Sequence, residues 1–324
     1  MEAAPHRPPD VRAPVFIAGV ARSGTSILYR TLQAHPRFRP ARAPDGFDLT
    51  ESRAFVEPWS VRLRDAAPFR FLLEDEASHR RLLAAAAAFP SLGARLHRVE
   101  RLRHLANRSR ATRAAWWRIS GNERLLRLYF REAAAARGTP RLVEKTPAHV
   151  WSLPEIRSTF PDAKVVCMHR HPLDVFASYR RRLAIAERDP TTSAATRAWL
   201  RPSAEVFAEG YRRELAAIGL EIDAAAGAVL AVRYEDLTRE PEKELRRILD
   251  FLGEPFDEAC LRADAPSLAA WEQDPLLSRP VGANDADWRA NVDPRTAHAI
   301  EERLADVLPR WGHPRLADVA GGAS

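Results

Sequence analysis

Two periodicities alternate along this chain. Val15-Phe16-Ile17-Ala18 is a short, uninterrupted apolar run of β-favouring residues, the pattern of a strand buried on both faces. Gly19 ends it. From Gly24 the period changes. Ile27, Leu28, Thr31 and Leu32 fall on one helical face, and Pro36 follows the end. Leu142-Val143-Glu144-Lys145, Ala163–Met168 and Val229–Val232 read as further buried strands. Val175, Phe176, Tyr179 and Leu183 mark a helix face after Pro172. Residues 203–223 read as a helix, and so does the segment carrying Leu245, Ile248, Leu249 and Leu252, which stops at Gly253. A last helix is expected from about Pro294 to Leu308. Residues 36–60 read as a loop with a short helix starting near Glu51. From 61 to 137 the chain is rich in alanine and arginine, which predicts two or three helices, including Arg95–Ala106 and Ala114–Ala136. Residues 265–293 look irregular. Strands alternating with helices predict an α/β fold: a central, mostly parallel sheet flanked by helices on both faces, with a helical insertion over 61–137. One domain over 15–315 is expected, between tails at 1–14 and 316–324.

Composition narrows the chemistry. The 324 residues carry 46% hydrophobic content, enough for one large core, and a net charge of +7. Only Lys145, Lys164 and Lys243 are lysines, so arginine supplies nearly all the positive charge. The arginines are scattered and form no basic run interleaved with aromatics, so nucleic acid is not the expected partner. The basicity has a bland reading, a GC-rich coding bias and a soluble surface, and a functional one, a site for a polyanionic small ligand. The two cysteines, Cys167 and Cys260, make neither a disulfide framework nor a metal-ligand spacing, and no metal is expected. Met1–Pro14 is polar and proline-rich without an apolar core segment, so neither a signal peptide nor a membrane anchor is expected, and the cytoplasm is the expected location.

The segment Gly19-Val20-Ala21-Arg22-Ser23-Gly24-Thr25-Ser26 stands between a strand and a helix. A glycine-rich turn there points backbone N–H groups inward, and the helix adds its positive N-terminal dipole. Arg22 adds a charge; Ser23, Thr25 and Ser26 add hydroxyls. The spacing from Gly19 to Gly24 matches the opening of an ATPase loop, but that loop then requires a lysine, and here Thr25 stands in its place. Metal–triphosphate chemistry thereby loses its main anchor. A second cluster, Met168-His169-Arg170-His171-Pro172-Leu173-Asp174-Val175-Phe176-Ala177-Ser178, runs from a strand end into a helix. Arg170 leaves the carboxyl end of a strand, where α/β folds place ligands. Ser178 lies two turns into the helix, so the chain must bend for both to reach one phosphate. Asp174 is placed to cap that helix or to position Arg170.

These two clusters resemble the 5′-phosphosulfate loop and the 3′-phosphate motif of the sulfotransferases that use 3′-phosphoadenosine 5′-phosphosulfate (PAPS). Ala21 departs from that family's usual proline, and Ser26 from its second threonine. Glu144-Lys145-Thr146-Pro147 is similar to a Lys-Thr-Pro segment of many members, and Arg233-Tyr234-Glu235-Asp236-Leu237 to a Tyr-Glu-Asp-Leu segment. Gly282 and Trp288 resemble a degenerate form of the lid that closes on the nucleotide. The resemblance implies the P-loop-like sulfotransferase fold. It also implies transfer of a sulfuryl group from PAPS to an acceptor hydroxyl or amine, releasing PAP. Arg22, Ser23, Gly24, Thr25, Ser26, Arg170, Ser178 and Tyr234 would then bind the nucleotide, with Arg22 and Lys145 holding the bridging oxygen. Glu51 is the first choice of base, with His149 and His35 as rivals, His35 being the more structural of the two. An acidic residue opening a helix at Thr50-Glu51 also has a purely structural reading. The acceptor is expected to be a small molecule, carbohydrate or lipid; the middle helices either shape its pocket or simply pack. A P-loop kinase or ATPase, and a PAP-binding protein without catalysis, are the alternatives.

Overall fold

The computed structural model describes residues 11–41, 49, 51–52, 54–55, 112, 117, 122–139, 141–225, 227–262, 281–282 and 287–315. Four strands form one parallel sheet in the order β2-β1-β3-β4. β1 is Val15–Gly19, β2 is Val143–Lys145, β3 is Lys164–His169 and β4 is Val229–Arg233. Every residue of β1 is buried, as an uninterrupted apolar run requires when both faces are covered. Parallel neighbours need crossovers, and helices supply them. α1 is Thr25–Ala34, α2 Asn122–Arg137, α3 Leu153–Thr159, α4 Pro172–Arg188, α5 Ala194–Trp199, α6 Ala204–Ala224, α7 Tyr234–Arg239, α8 Pro241–Leu252 and α9 Pro294–Leu304.

Successive strand residues face opposite sides, so the sheet divides the core in two. Phe16, Ala18, Val165 and Cys167 pack with Phe130 of α2, Ile156 of α3, Phe176 of α4, Leu215 of α6 and Ile300 of α9. Val15, Ile17, Val166, Met168 and Val232 pack with Leu28 of α1, Leu237 of α7 and Ile248 of α8. This is the expected sheet with helices on both faces. Burial pushes the Cys167 thiol far up, so it behaves as the small core hydrophobe its apolar setting predicts.

Several boundaries differ from the pattern-based expectation. Among the described residues no helix starts at Glu51: the chain bends at Glu51 and turns at Ala54–Phe55, and residues 56–60 lie outside the described residues. α5 and α7 were not anticipated, because six residues are too few to display a 3.6-residue period. The last helix stops at Leu304, and a separate 3₁₀ turn, Leu308–Trp311, follows with Pro309 in it; proline cannot extend an α-helix through its missing N–H. Residues 11–14, expected as tail, lie along the sheet. The Ala13 N–H donates to Asp162 at 2.6 Å, and the Pro14 carbonyl accepts from Lys164 at 3.0 Å. In the 61–137 insertion, Thr112 and Trp117 are helical and α2 ends at Arg137. The helix expected over 95–106 and the tail at 316–324 lie outside the described residues.

Candidate active site

Each strand delivers a candidate residue at its carboxyl end, the edge where open α/β sheets place ligands. β1 runs into the glycine loop, β2 ends on Lys145, β3 is followed by Arg170 and β4 by Tyr234. The loop takes its shape from positive backbone angles at Gly19 (φ 124°), Arg22 (φ 67°) and Gly24 (φ 89°). A side chain at Gly19 would collide with the Met168 carbonyl at 2.1 Å, and one at Gly24 with the Tyr234 ring at 2.4 Å. Gly24 thus lets the loop lie flat against Tyr234. α1 begins with no side-chain cap and no acidic residue in its first turn. Its first N–H groups and positive dipole end are left for an external anion. Among the described residues, no side chain or backbone group holds the Thr25 and Ser26 hydroxyls.

Ser23 behaves differently from its expected role. It is fully buried, and its hydroxyl lies 2.5 Å from the Val20 carbonyl and 3.1 Å from that of Met168. A hydroxyl has one proton to give, and here it ties the loop to β3 instead of facing a ligand. Arg22, in its left-handed conformation, reaches across to the second cluster. Its Nε lies 3.2 Å from Ser178 Oγ on α4, so the two sequence motifs meet.

Around Arg170 the packing is close. Its guanidinium sits over the Tyr234 ring at 4.2 Å, an attractive cation–π geometry. Asp174, one turn on, is 3.8 Å away, as its spacing suggested. Among the described residues, the Arg170 Nε is buried without a hydrogen-bond partner. A buried donor left unpaired is costly, so this atom fits a site completed by an anion. Arg181, which sequence reasoning passed over, belongs to the same region. Burial and then the charge of Arg170 lower its pKa, with Asp174 and Tyr234 acting the other way. Its spacing of one turn from Ser178 was the available signal.

Lys145 Nζ lies 2.8 Å from Glu51 Oε1; the lysine side chain is 3% exposed and that of Glu51 62%. The Glu51 carboxylate is therefore open to solvent on one side and stands beside the buried cation on the other. A network beneath holds them. Glu144, fully buried, accepts from Ser52 Oγ at 2.7 Å and Thr146 Oγ1 at 2.6 Å, and its other oxygen lies 2.9 Å from His149 Nδ1. His149 Nε2 accepts from the Phe55 N–H at 3.2 Å, and Leu49 O accepts from the Lys145 N–H at 2.7 Å. His149 is thus fully buried, with Nε2 accepting a backbone N–H and Nδ1 turned to Glu144, which argues against it as the base. The same holds for His35. Its Nδ1 accepts from the Arg37 N–H at 3.2 Å, so Nε2 donates to the Pro255 carbonyl at 2.9 Å. Glu144 was missed as an organiser because its importance comes from the loop folded against it. Of the expected lid, Trp288 opens a short 3₁₀ turn and packs, partly buried, on the core, while residues 263–280 and 283–286 lie outside the described residues.

Among the described residues, no group of three or more His, Cys, Asp or Glu side chains could hold a metal ion, and no helix is long and apolar enough to cross a membrane.

With this geometry in hand, comparison with known proteins is informative. A family model described as "Sulfotransferase family" matches residues 14–258. The nodulation protein NoeE of Sinorhizobium fredii (strain NBRC 101917 / NGR234) is 26% identical over 313 residues, which is 92% of this chain and 65% of that protein. The chain therefore spans less than two thirds of that relative's length. Among solved structures, the sulfotransferase domain of the Synechococcus PCC 7002 olefin synthase superposes with a TM-score of 0.51 at 22% identity, covering 92% of this chain and 96% of that domain. The sulfotransferase STF9 of Mycobacterium avium gives 0.53 at 16% identity, covering 94% and 78%. At such identities the superpositions speak for the fold.

Proposed function

The chain belongs to the sulfotransferase family, and on that premise we propose that it moves a sulfuryl group from PAPS to an acceptor hydroxyl or amine, leaving PAP. The observation that carries this reading is the meeting of two anion-binding features at one sheet edge. Arg22 of the glycine loop touches Ser178, while Arg170 stacks on the Tyr234 ring that Gly24 abuts. A 3′,5′-bisphosphorylated nucleotide has anionic groups at both ends to match. The uncapped start of α1, with Thr25 and Ser26, would take the 5′ side. Arg170, with its unpaired Nε, would take the 3′ side with Ser178 and Arg181.

PAPS supplies an activated sulfuryl group whose sulfur carries the bond that breaks. The acceptor oxygen bonds to sulfur as the bond to the bridging phosphate oxygen breaks, and that electron pair stays on the departing phosphate. Lys145 and Arg22 stabilise the charge that develops there. Glu51 removes the acceptor proton. Its ion pair with Lys145 holds base and cation side by side, so positioning does most of the catalysis. A small molecule, carbohydrate or lipid hydroxyl in the cytoplasm is the acceptor class this reading favours, in one domain over 15–315.

Calorimetry with PAP and with ATP–Mg²⁺, followed by radiolabelled PAPS and an acceptor panel, tests the reading. Micromolar binding of PAP with weak ATP–Mg²⁺ binding, and label transferred to an acceptor, is expected. Absence of PAP binding, or preference for ATP–Mg²⁺, overturns it.

A further inference from the structure

The turn from β3 into α4 has an unusual arrangement at one peptide unit. The strand ladder ends at His169 opposite Arg233, and β1 has already turned away at Gly19. Pro172 then opens the helix without an N–H to give. The peptide joining Arg170 to His171 must therefore find side-chain partners or stay unpaired. It finds one at each end, from different elements. The Tyr211 hydroxyl of α6 donates to the Arg170 carbonyl at 2.7 Å, and the His171 N–H donates to Glu235 Oε1 of α7 at 2.8 Å. Tyr211 is almost completely buried. Burial, then the charges of Glu235 and Glu214, push its phenol well up, so it remains a donor at any working pH.

We propose that Tyr211 and Glu235 form a two-sided clamp on the Arg170–His171 peptide and are positioning residues for recognition of the nucleotide's 3′-phosphate. Neither would touch the phosphate. Gripping both ends of one peptide unit fixes its plane. That plane sets where the Arg170 side chain leaves the backbone and where α4 starts, hence where Ser178 falls two turns later. Neighbouring contacts fit the same task. Tyr234, the residue before Glu235, carries the ring beneath the Arg170 guanidinium. α7 thus holds Arg170 twice, once by its side chain and once through the backbone. This inference rests on the PAPS reading above.

The test uses the full chain and two nucleotides, PAP and adenosine 5′-monophosphate, which differ in the 3′-phosphate. Calorimetric affinities are measured for wild type, Tyr211→Phe, Glu235→Ala and Glu235→Gln, with thermal melting to verify folding. Tyr211→Phe removes a single oxygen and keeps the ring, and Glu235→Gln keeps an oxygen that accepts from the His171 N–H. Tyr211→Phe and Glu235→Ala are expected to lower the preference for PAP over the monophosphate by roughly tenfold with monophosphate affinity unchanged, as loss of one buried hydrogen bond can do. Glu235→Gln should retain the preference. Equal weakening of both nucleotides, or an unchanged preference in folded Tyr211→Phe, overturns the clamp while leaving the PAPS reading intact. A wild-type protein that does not prefer PAP overturns both.

Discussion

Glu51 and Lys145 form an ion pair in which one member is buried and the other largely open to solvent. Such a pair contributes little net stability, because the exposed partner is screened by water. On the proposed function its value lies in chemistry, where an exposed carboxylate beside a fixed cation would meet an acceptor. Glu51→Gln is accordingly expected to lower kcat by about 10²–10⁴-fold while PAP affinity stays unchanged. Full turnover in this variant would end the assignment. Gly24 is constrained twice, by its left-handed backbone and by the Tyr234 ring. Gly24→Ala should destabilise the fold by at least about 1–2 kcal/mol from the backbone term alone and weaken PAP binding as Tyr234 is displaced. Urea unfolding and calorimetry measure both, and a variant with native stability and affinity would contradict the geometry.

β2 is only three residues long, yet it organises the loop at 49–55. Its middle residue, Glu144, collects Ser52, Thr146 and His149 around one buried carboxylate. A buried carboxylate is tolerated when it is paired and hydrogen-bonded, and here two hydroxyls donate to one oxygen while the His149 imidazole lies 2.9 Å from the other. Glu144→Ala strands three polar partners, so a loss of about 3 kcal/mol or more is expected, together with a fall in kcat as Glu51 loses its support. A cost under about 1 kcal/mol in urea unfolding would show the network to be dispensable. Elements of this kind also mark the reach of pattern reading. β1, β3, α4 and α8 were legible because their apolar residues repeat at strand or helix period. α5 and α7 were not, being single turns or little more. The bend at Glu51 was hidden for another reason, since it depends on hydrogen bonds to β2, more than ninety residues away in sequence.

Across the whole molecule, the C-terminal turn closes over the sheet edge beside Arg170. His313 Nε2 lies 3.0 Å from His169 Nδ1, Trp311 packs edge-on against His169, and Arg233 donates to the Gly312 carbonyl. Burial lowers His169 to about 4, helped by Arg233 and Arg247 and opposed by Asp236. Burial, then His169, His171 and Arg233, lower His313 to about 2. Both stay neutral in the fold while the unfolded chain protonates them near 6.5. Their contribution is therefore complete above pH 6.5 and is lost as pH falls, toward 4 for His169 and toward 2 for His313, by up to about 1.4 kcal/mol per histidine per pH unit. Glu214 works in the opposite direction. Burial raises its carboxyl to about 8, so its contribution is full below about 4.5 and is lost as pH rises through 8. Thermal melting across pH 5–9 should show both limbs. His313→Phe should flatten the acid limb, and Glu214→Gln should stabilise the protein at pH 8. Unaltered slopes in both variants would refute the assignment.

The chain's own pattern determined the strand–loop–helix at Val15–Ala34, the parallel α/β architecture and the two clusters for which anion binding is proposed. Each of these is local: periodicity, turn glycines and helix starts are written within a few neighbouring residues. Only the tertiary structure decided that Arg22 reaches Ser178, that Ser23 turns inward, that His149 and His35 are buried in the scaffold, and that Tyr211 and Glu235 bond to one peptide beside Arg170. Those outcomes depend on which groups meet across separations of tens to more than a hundred residues. Burial and hydrogen-bond saturation arise only there, and no run of neighbouring residues encodes them.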